Sequence, residues 1–154
     1  MAIRTRVKIT DTDRGLAKVL SLADEPKRTI RLGWDSESGE EHGISRAELA
    51  IIHELGTSEI PARHPLLKAS VATSPQTERQ LEKLAAGALG KGQKLAEGMD
   101  RIARETEQAA KDYLKGGPYL TPPLDPKTTE AKGNPRPLTE TGALVDSLKA
   151  KVEG

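Results

Sequence analysis

The side chains with the most chemical potential are three histidines, His42, His53 and His64, in a chain of 154 residues that has no cysteine. His53-Glu54 opens the pattern His-Glu-x-x-His, which on one helical face supplies two zinc ligands and a general base. Here the second ligand position is Thr57, beyond the helix-ending Gly56, and His64 lies past a proline at no spacing that the pattern uses. His53 and Glu54 are expected instead to make contacts at a helix end, where the dipole favours a cationic imidazole. There is no Gly-x-Ser-x-Gly elbow. The glycines of Leu89-Gly90-Lys91-Gly92-Gln93-Lys94 lack the spacing of a phosphate loop. Asp35, Glu37, Glu40 and Glu41 form an acidic stretch that reads as a solvated tip. Without cysteine there is no zinc ribbon, iron–sulfur cluster, disulfide framework or thiol nucleophile. The sequence therefore offers no catalytic set, no cofactor site and no metal site, and a non-enzymatic role is expected.

The elements that position these residues must come from a modest core. Only 35% of residues are hydrophobic and 2% aromatic, and 31 Leu, Ile and Val lie near the lower edge for a self-sufficient globule. Surface completed by partner chains is the expectation. With 24 Lys and Arg against 23 Asp and Glu, the chain lacks the basic excess of a nucleic-acid binder, and its aromatics are too few for base stacking. MAIRTRVKIT is too polar for a signal peptide, and no apolar run approaches the ~18 residues of a membrane span, so no membrane association is expected.

Residues 2–10 alternate Ile3, Thr5, Val7 and Ile9 with Arg4, Arg6 and Lys8, the period of a half-buried strand. A short helix carrying Leu16, Val19, Leu20 and Leu22 follows, capped at Asp11–Asp13 and closed by Pro26. Residues 28–34 predict a second strand with Ile30 and Leu32 on one face, and 35–43 an exposed hairpin loop. Ser45 with Glu48 is a capping box opening a helix that ends at Gly56. Pro61 and Pro65 keep 60–65 extended, and helical character resumes at 66–71. Ser74-Pro75 predicts the start of a long helix to Leu114, about 60 Å if unbroken. Its apolar stripe is narrow, and Gly87, Gly90, Gly92 and Gly98 predict a break near 87–92, with close approach of a neighbouring backbone as the alternative. Residues 118–137 hold six of the ten prolines, an extended crossing interrupted by a short helix from Asp125-Pro126 to Gly133. A helical turn ending at Leu148 and a strand at 149–153 close the chain.

The expected fold is α+β: a small, mostly antiparallel sheet packed with a long helix and shorter helices, with an extended Pro-rich segment near the C-terminus. It forms one domain over 1–154, divided into a strand and helix part (1–73), the long helix (74–115), the Pro-rich segment (116–140) and a C-terminal helix and strand (141–154).

Two stretches stand out. One is Ala47-Glu48-Leu49-Ala50-Ile51-Ile52-His53-Glu54-Leu55-Gly56-Thr57 followed by Ile60-Pro61-Ala62-Arg63-His64-Pro65-Leu66-Leu67. The other runs from Pro122-Pro123-Leu124-Asp125-Pro126 through Lys132-Gly133 and Pro137-Leu138 to Thr141-Gly142-Ala143-Leu144 and Ser147-Leu148. In this order and spacing, over about residues 44–150, they resemble the tail-completion or head–tail joining proteins of tailed bacteriophages, virion morphogenesis proteins similar to the lambda-like minor tail protein Z. His64 stands where that family goes directly to proline, Leu66 replaces its usual Phe, and Leu148 its usual Ile. The resemblance implies a structural protein of the virion neck, assembled in the host cytoplasm, that joins the finished tail to the DNA-filled head. It implies a six-fold homo-oligomeric ring, with tail terminator or tail-tube protein and head-side connector proteins as partners. Genomic DNA would pass the lumen without specific binding. A tail terminator, a head-side connector, or a small DNA-binding or regulatory module are the other readings.

His53, Glu54, Gly56, Thr57, Pro61, Arg63, Pro65, Leu138, Thr141, Gly142, Leu144 and Ser147 are the candidate motif and interface residues. Each also has an internal reading. Gly56 can take a positive φ, Thr57 can bond local backbone, and Thr141 can cap the helix carrying Leu144 with Ser147 on its flank. Pro61 and Pro65 stiffen the segment presenting Arg63, whose guanidinium suits a carboxylate or a run of backbone carbonyls.

Overall fold

The structure, a computed structural model, describes residues 21, 27–91, 94–118, 122–133, 135–138 and 141–154. The expected strand at 2–10 and the helix carrying Leu16 to Leu22 lie outside the described residues.

Strand β1 (Thr29–Gly33) pairs antiparallel with β4 (Lys149–Glu153), placing Ile30 opposite Val152 and Leu32 opposite Ala150. These four share one face of the pleat, which is half-buried, while Thr29, Arg31, Lys149, Lys151 and Glu153 are exposed on the other. Between them in sequence, a short turn (Ser36–Ser38) leads into a minimal hairpin of β2 (Glu40–Glu41) and β3 (Ile44–Ser45). The acidic stretch is more structured than a solvated tip. Asp35 caps the Ser36–Ser38 turn and pairs with Lys151, and Glu41 faces Arg46 at 3.7 Å. Charges spaced along this loop find cations from α1 and β4, which no local pattern announces.

Helix α1 (Arg46–Leu55) opens with the predicted capping box: Glu48 N–H donates to Ser45 Oγ (3.2 Å) and Ser45 N–H to the Glu48 carboxylate (3.2 Å). Helices α2 (Pro65–Lys91) and α3 (Leu95–Gly116) form an antiparallel hairpin, since Thr77 meets Thr106, Gln80 meets Glu105 and Leu84 meets Gly98. The stripe expected to run along one long helix is thus two faces folded onto each other, with Leu84, Ala88, Met99 and Ile102 buried between them. The expected break falls between Lys91 and Leu95. Gly98 serves the alternative purpose, a close approach: a Cβ there would lie 2.2 Å from Leu84 Cδ1.

The start of this hairpin corrects the sequence reading. The helix begins at Pro65, and Pro75 lies inside it rather than at its first position. Burial of Pro65, Ala69 and Thr73 carries the helix through. The carbonyl deprived of its partner by Pro75 belongs to exposed Val71 (66% accessible), where water can take the bond.

Helix α4 (Pro126–Lys132) is capped by Asp125 and closed by left-handed Gly133, as expected, and α5 (Ala143–Asp146) is a single turn before β4. The main core gathers Ala50, Ala69, Ala110, Leu114, Leu138, Leu144, Val145 and Leu148, with Trp34 and Leu66 against it. Trp34 Nε1 donates to the Leu144 carbonyl (2.7 Å), anchoring α5 on β1. Glu107 of α3 accepts the Ala150 N–H (3.0 Å) and pairs with Lys111 (2.7 Å), tying β4 to the hairpin. The architecture is α+β, as the sequence predicts.

Leu148 is fully buried and Ile51 is 56% exposed. Leu148→Ala is expected to cost about 2–5 kcal/mol, lowering Tm by roughly 2–4 °C per kcal/mol in a chain of this size. Ile51→Ala is expected to stay within about 0.5 kcal/mol. Thermal unfolding of the two variants followed by circular dichroism checks the contrast.

Candidate functional site

The candidate residues fall into two groups. The first sits where α1 ends and α2 begins. Gly56 leaves α1 with φ +77° and donates its N–H to the Ile52 carbonyl (2.7 Å). Thr57 N–H bonds the Ile60 carbonyl (2.7 Å), and Thr57 Oγ1 accepts from the N–H of Glu59 (3.2 Å) and Ile60 (3.0 Å). The loop then folds back, Arg63 N–H donating to the His53 carbonyl (2.9 Å). The approach is close: a Cβ on Gly56 would stand 2.6 Å from Ala62 N and 2.9 Å from the Ile60 carbonyl oxygen. Pro61 remains exposed, whereas Pro65 is fully buried as the first residue of α2.

Glu54 performs a task that no sequence signal indicates. Its carboxylate accepts from the N–H groups of Leu66 (2.8 Å) and Leu67 (3.2 Å), so it caps α2 from the end of α1. Helix α2 has His64 before Pro65 instead of a capping Ser, Thr, Asp or Asn, and a carboxylate 12 residues upstream supplies both acceptor and negative charge. His53 also differs from expectation. Burial first, then the neighbouring charges of Arg63 and Lys132, push its pKa down to about 4, so the imidazole is neutral rather than a dipole-stabilised cation. Its Nδ1 is buried with no hydrogen-bond partner among the described residues.

Arg63 is 4% exposed. Its Nε donates to the Pro122 carbonyl (2.9 Å), Nη2 to the Pro123 carbonyl (3.3 Å) and Nη1 to the Pro61 carbonyl (3.4 Å). Of the two partners suggested by the sequence, carboxylate or backbone carbonyls, the described residues supply carbonyls. Prolines suit this: their carbonyls accept, while their missing N–H keeps the segment out of any ladder. His53, Arg63, Pro61, Pro122, Pro123, Leu124, Asp125 and Thr128 line a groove of about 670 Å³.

The second group does not join this site. Leu138 and Leu144 are core residues. Thr141 Oγ1 accepts the Ala143 N–H (3.1 Å) and donates to Glu41, so Thr141 supports the start of α5, where Gly142 (φ +75°) occupies the capping position. Ser147 Oγ bonds the Leu144 carbonyl (2.9 Å) on the same turn. These residues hold the end of the chain against Trp34. Sequence reasoning missed the part Pro122 and Pro123 play as acceptors; their adjacency inside the second motif was the signal.

Among the described residues, no group of three or more His, Cys, Asp or Glu could hold a metal ion, and no helix is long and apolar enough to cross a membrane. No protein-family model, no curated protein and no solved structure matches the chain.

Gly56→Ala forces a side chain into backbone at positive φ and is expected to cost about 3 kcal/mol. Gly43→Ala has the same φ of +77° with nothing within 4 Å and is expected to cost only about 1 kcal/mol. Urea unfolding of both variants measures the difference.

The His53 shift has a signed consequence. A base whose folded pKa lies below its unfolded value of 6.5 binds more protons when unfolded, so its contribution is complete above pH 6.5 and is lost as pH falls towards about 4. The His53 ring resonances are expected to titrate with a midpoint near 4, and His53→Leu to flatten the fall in stability across that window. NMR titration paired with denaturation at stepped pH tests both.

Proposed function

We propose that this protein is a structural component of a tailed-phage virion neck, a tail-completion protein that joins the finished tail to the DNA-filled head. The observation that carries this reading is the union of the two motif stretches. Arg63, from the first, grips the carbonyls of Pro122 and Pro123, the opening residues of the second, across 59 and 60 positions. Segments far apart in sequence act as one unit, which supports reading them as a single signature rather than two coincidental resemblances.

The surface supports an assembly role over a catalytic one. Ile51 and Leu55 on α1, and Leu67 and Val71 on α2, are each between 56% and 72% exposed and each pair is spaced one helical turn apart. A chain with few apolar residues to spare leaves these four in water, among seven exposed large hydrophobics of the described residues, the composition of surface that subunit contacts cover. In this proposal the copies form a six-fold ring. Tail terminator or tail-tube protein lies on one side, head-side connector on the other, and DNA passes through the lumen without sequence reading.

The test is a phage lacking the gene. Its lysate is expected to contain DNA-filled heads and separate tails of normal length, with few infectious particles, by negative-stain electron microscopy. Tails of uncontrolled length would assign the chain to tail termination, and empty heads to the head-side connector; either result overturns the proposal.

A further inference from the structure

A buried guanidinium is costly unless a counter-charge or a full set of acceptors surrounds it. Arg63 has neither. Its three bonds go to the neutral carbonyls of Pro61, Pro122 and Pro123, and no carboxylate lies within 4.0 Å of it among the described residues. A guanidinium carries five N–H donors, so one remains on each terminal nitrogen. The acidic groups of the same groove are committed or displaced: Asp125 caps α4 through its bond to the Lys127 N–H (2.9 Å), and Glu59 rides the exposed turn after α1. Beside Arg63, the buried Nδ1 of neutral His53 also has no partner among the described residues. Arg63 and the His53 ring line one groove of about 670 Å³, with Pro61, Pro122, Pro123 and Leu124 among its apolar walls, while His53 Nδ1 itself is closed off from solvent.

We infer that this groove is a binding site for a partner polypeptide, which places one carboxylate side chain, carried on an extended apolar segment, against Arg63 and His53. The carboxylate supplies the missing negative charge and accepts from the remaining guanidinium N–H groups, beside the neutral His53 ring. Pro61, Pro122, Pro123 and Leu124 hold the flanking apolar residues. A proline-rich wall loses little entropy on binding, and charge complementarity selects an acidic over a neutral side chain. The site belongs to the isolated chain and stands whether or not the protein works in a phage neck.

The probe is the capped peptide acetyl-Ala-Pro-Glu-Leu-amide, titrated into the intact protein at pH 7 and low salt. The Arg63 Nε–H and His53 ring signals are followed by NMR. Saturable shifts at both residues are expected, with the glutamine version of the peptide binding about tenfold more weakly or worse, equivalent to about 1.4 kcal/mol. Arg63 variants endanger the fold, so the protein-side control is Thr128→Glu, which sets a resident carboxylate at the exposed mouth of the groove. With the fold verified by circular dichroism, Thr128→Glu is expected to abolish the shifts. Equal binding of the glutamine peptide, shifts confined to other residues, or unchanged binding to Thr128→Glu each overturns the inference. So does propionate binding as tightly as the peptide, which would make the groove a small-anion site.

Discussion

A cation withdrawn from water organises this molecule. Arg63 is almost fully buried and held by carbonyls from two separate segments, Pro61 on its own loop and Pro122-Pro123 beyond α3. Charge-assisted hydrogen bonds are the stronger kind, and leaving such a donor set unmatched in a low-dielectric interior costs more than a neutral bond is worth. The loop after α1 and the Pro-rich segment before α4 must therefore stay in mutual register. That register sets the entry to α2 on one side and the position of α4 on the other. It is also what gives the groove its wall.

Glu54 explains why Arg63 meets no carboxylate among the described residues although one stands so close in sequence. The Glu54 side chain is already committed to the N–H groups of Leu66 and Leu67, where the open end of α2 offers donors and a favourable dipole together. Two opposite charges near one chain reversal thus act in separate roles, one starting a helix and one clasping a distant segment. His53 lies between these tasks and resolves its own burial by staying neutral. A histidine at the end of a helix is usually welcome as a cation, but here desolvation and the nearby Arg63 and Lys132 outweigh the dipole.

The helical hairpin shows the same economy in apolar material. Folding α2 onto α3 lets one narrow stripe bury itself, with Gly98 admitting Leu84 at a distance that any side chain at that position would obstruct. The face of the small sheet formed by Ile30, Leu32, Ala150 and Val152 packs on that hairpin and stays half-buried. Among the described residues, the most exposed large apolar side chains lie on the outer side of α1 and the first turns of α2, with Leu55 at 72% and Val71 at 66% exposure.

Local chemistry decided much of this in advance. The Ser45–Glu48 capping box, the stop at Gly56, the short helix between Asp125 and Gly133, and the strands at 29–33 and 149–153 follow from contacts within a few residues or from side-chain alternation, both readable along the chain. The start of α2 did not follow. Ser74-Pro75 carries a stronger local signal than His64-Pro65, but the Glu54 carboxylate and the burial of Ala69 and Thr73 override it from a distance. The candidate site divides along the same line. Its residue types around Arg63 were evident in sequence, as was the suitability of a guanidinium for backbone carbonyls. Which carbonyls Arg63 would find, and that Leu138 and Leu144 belong to the interior, depended on segments roughly 60 to 110 positions apart meeting in space. Periodicity and capping report only on near neighbours, so tertiary packing alone could decide where a buried charge finds its acceptors.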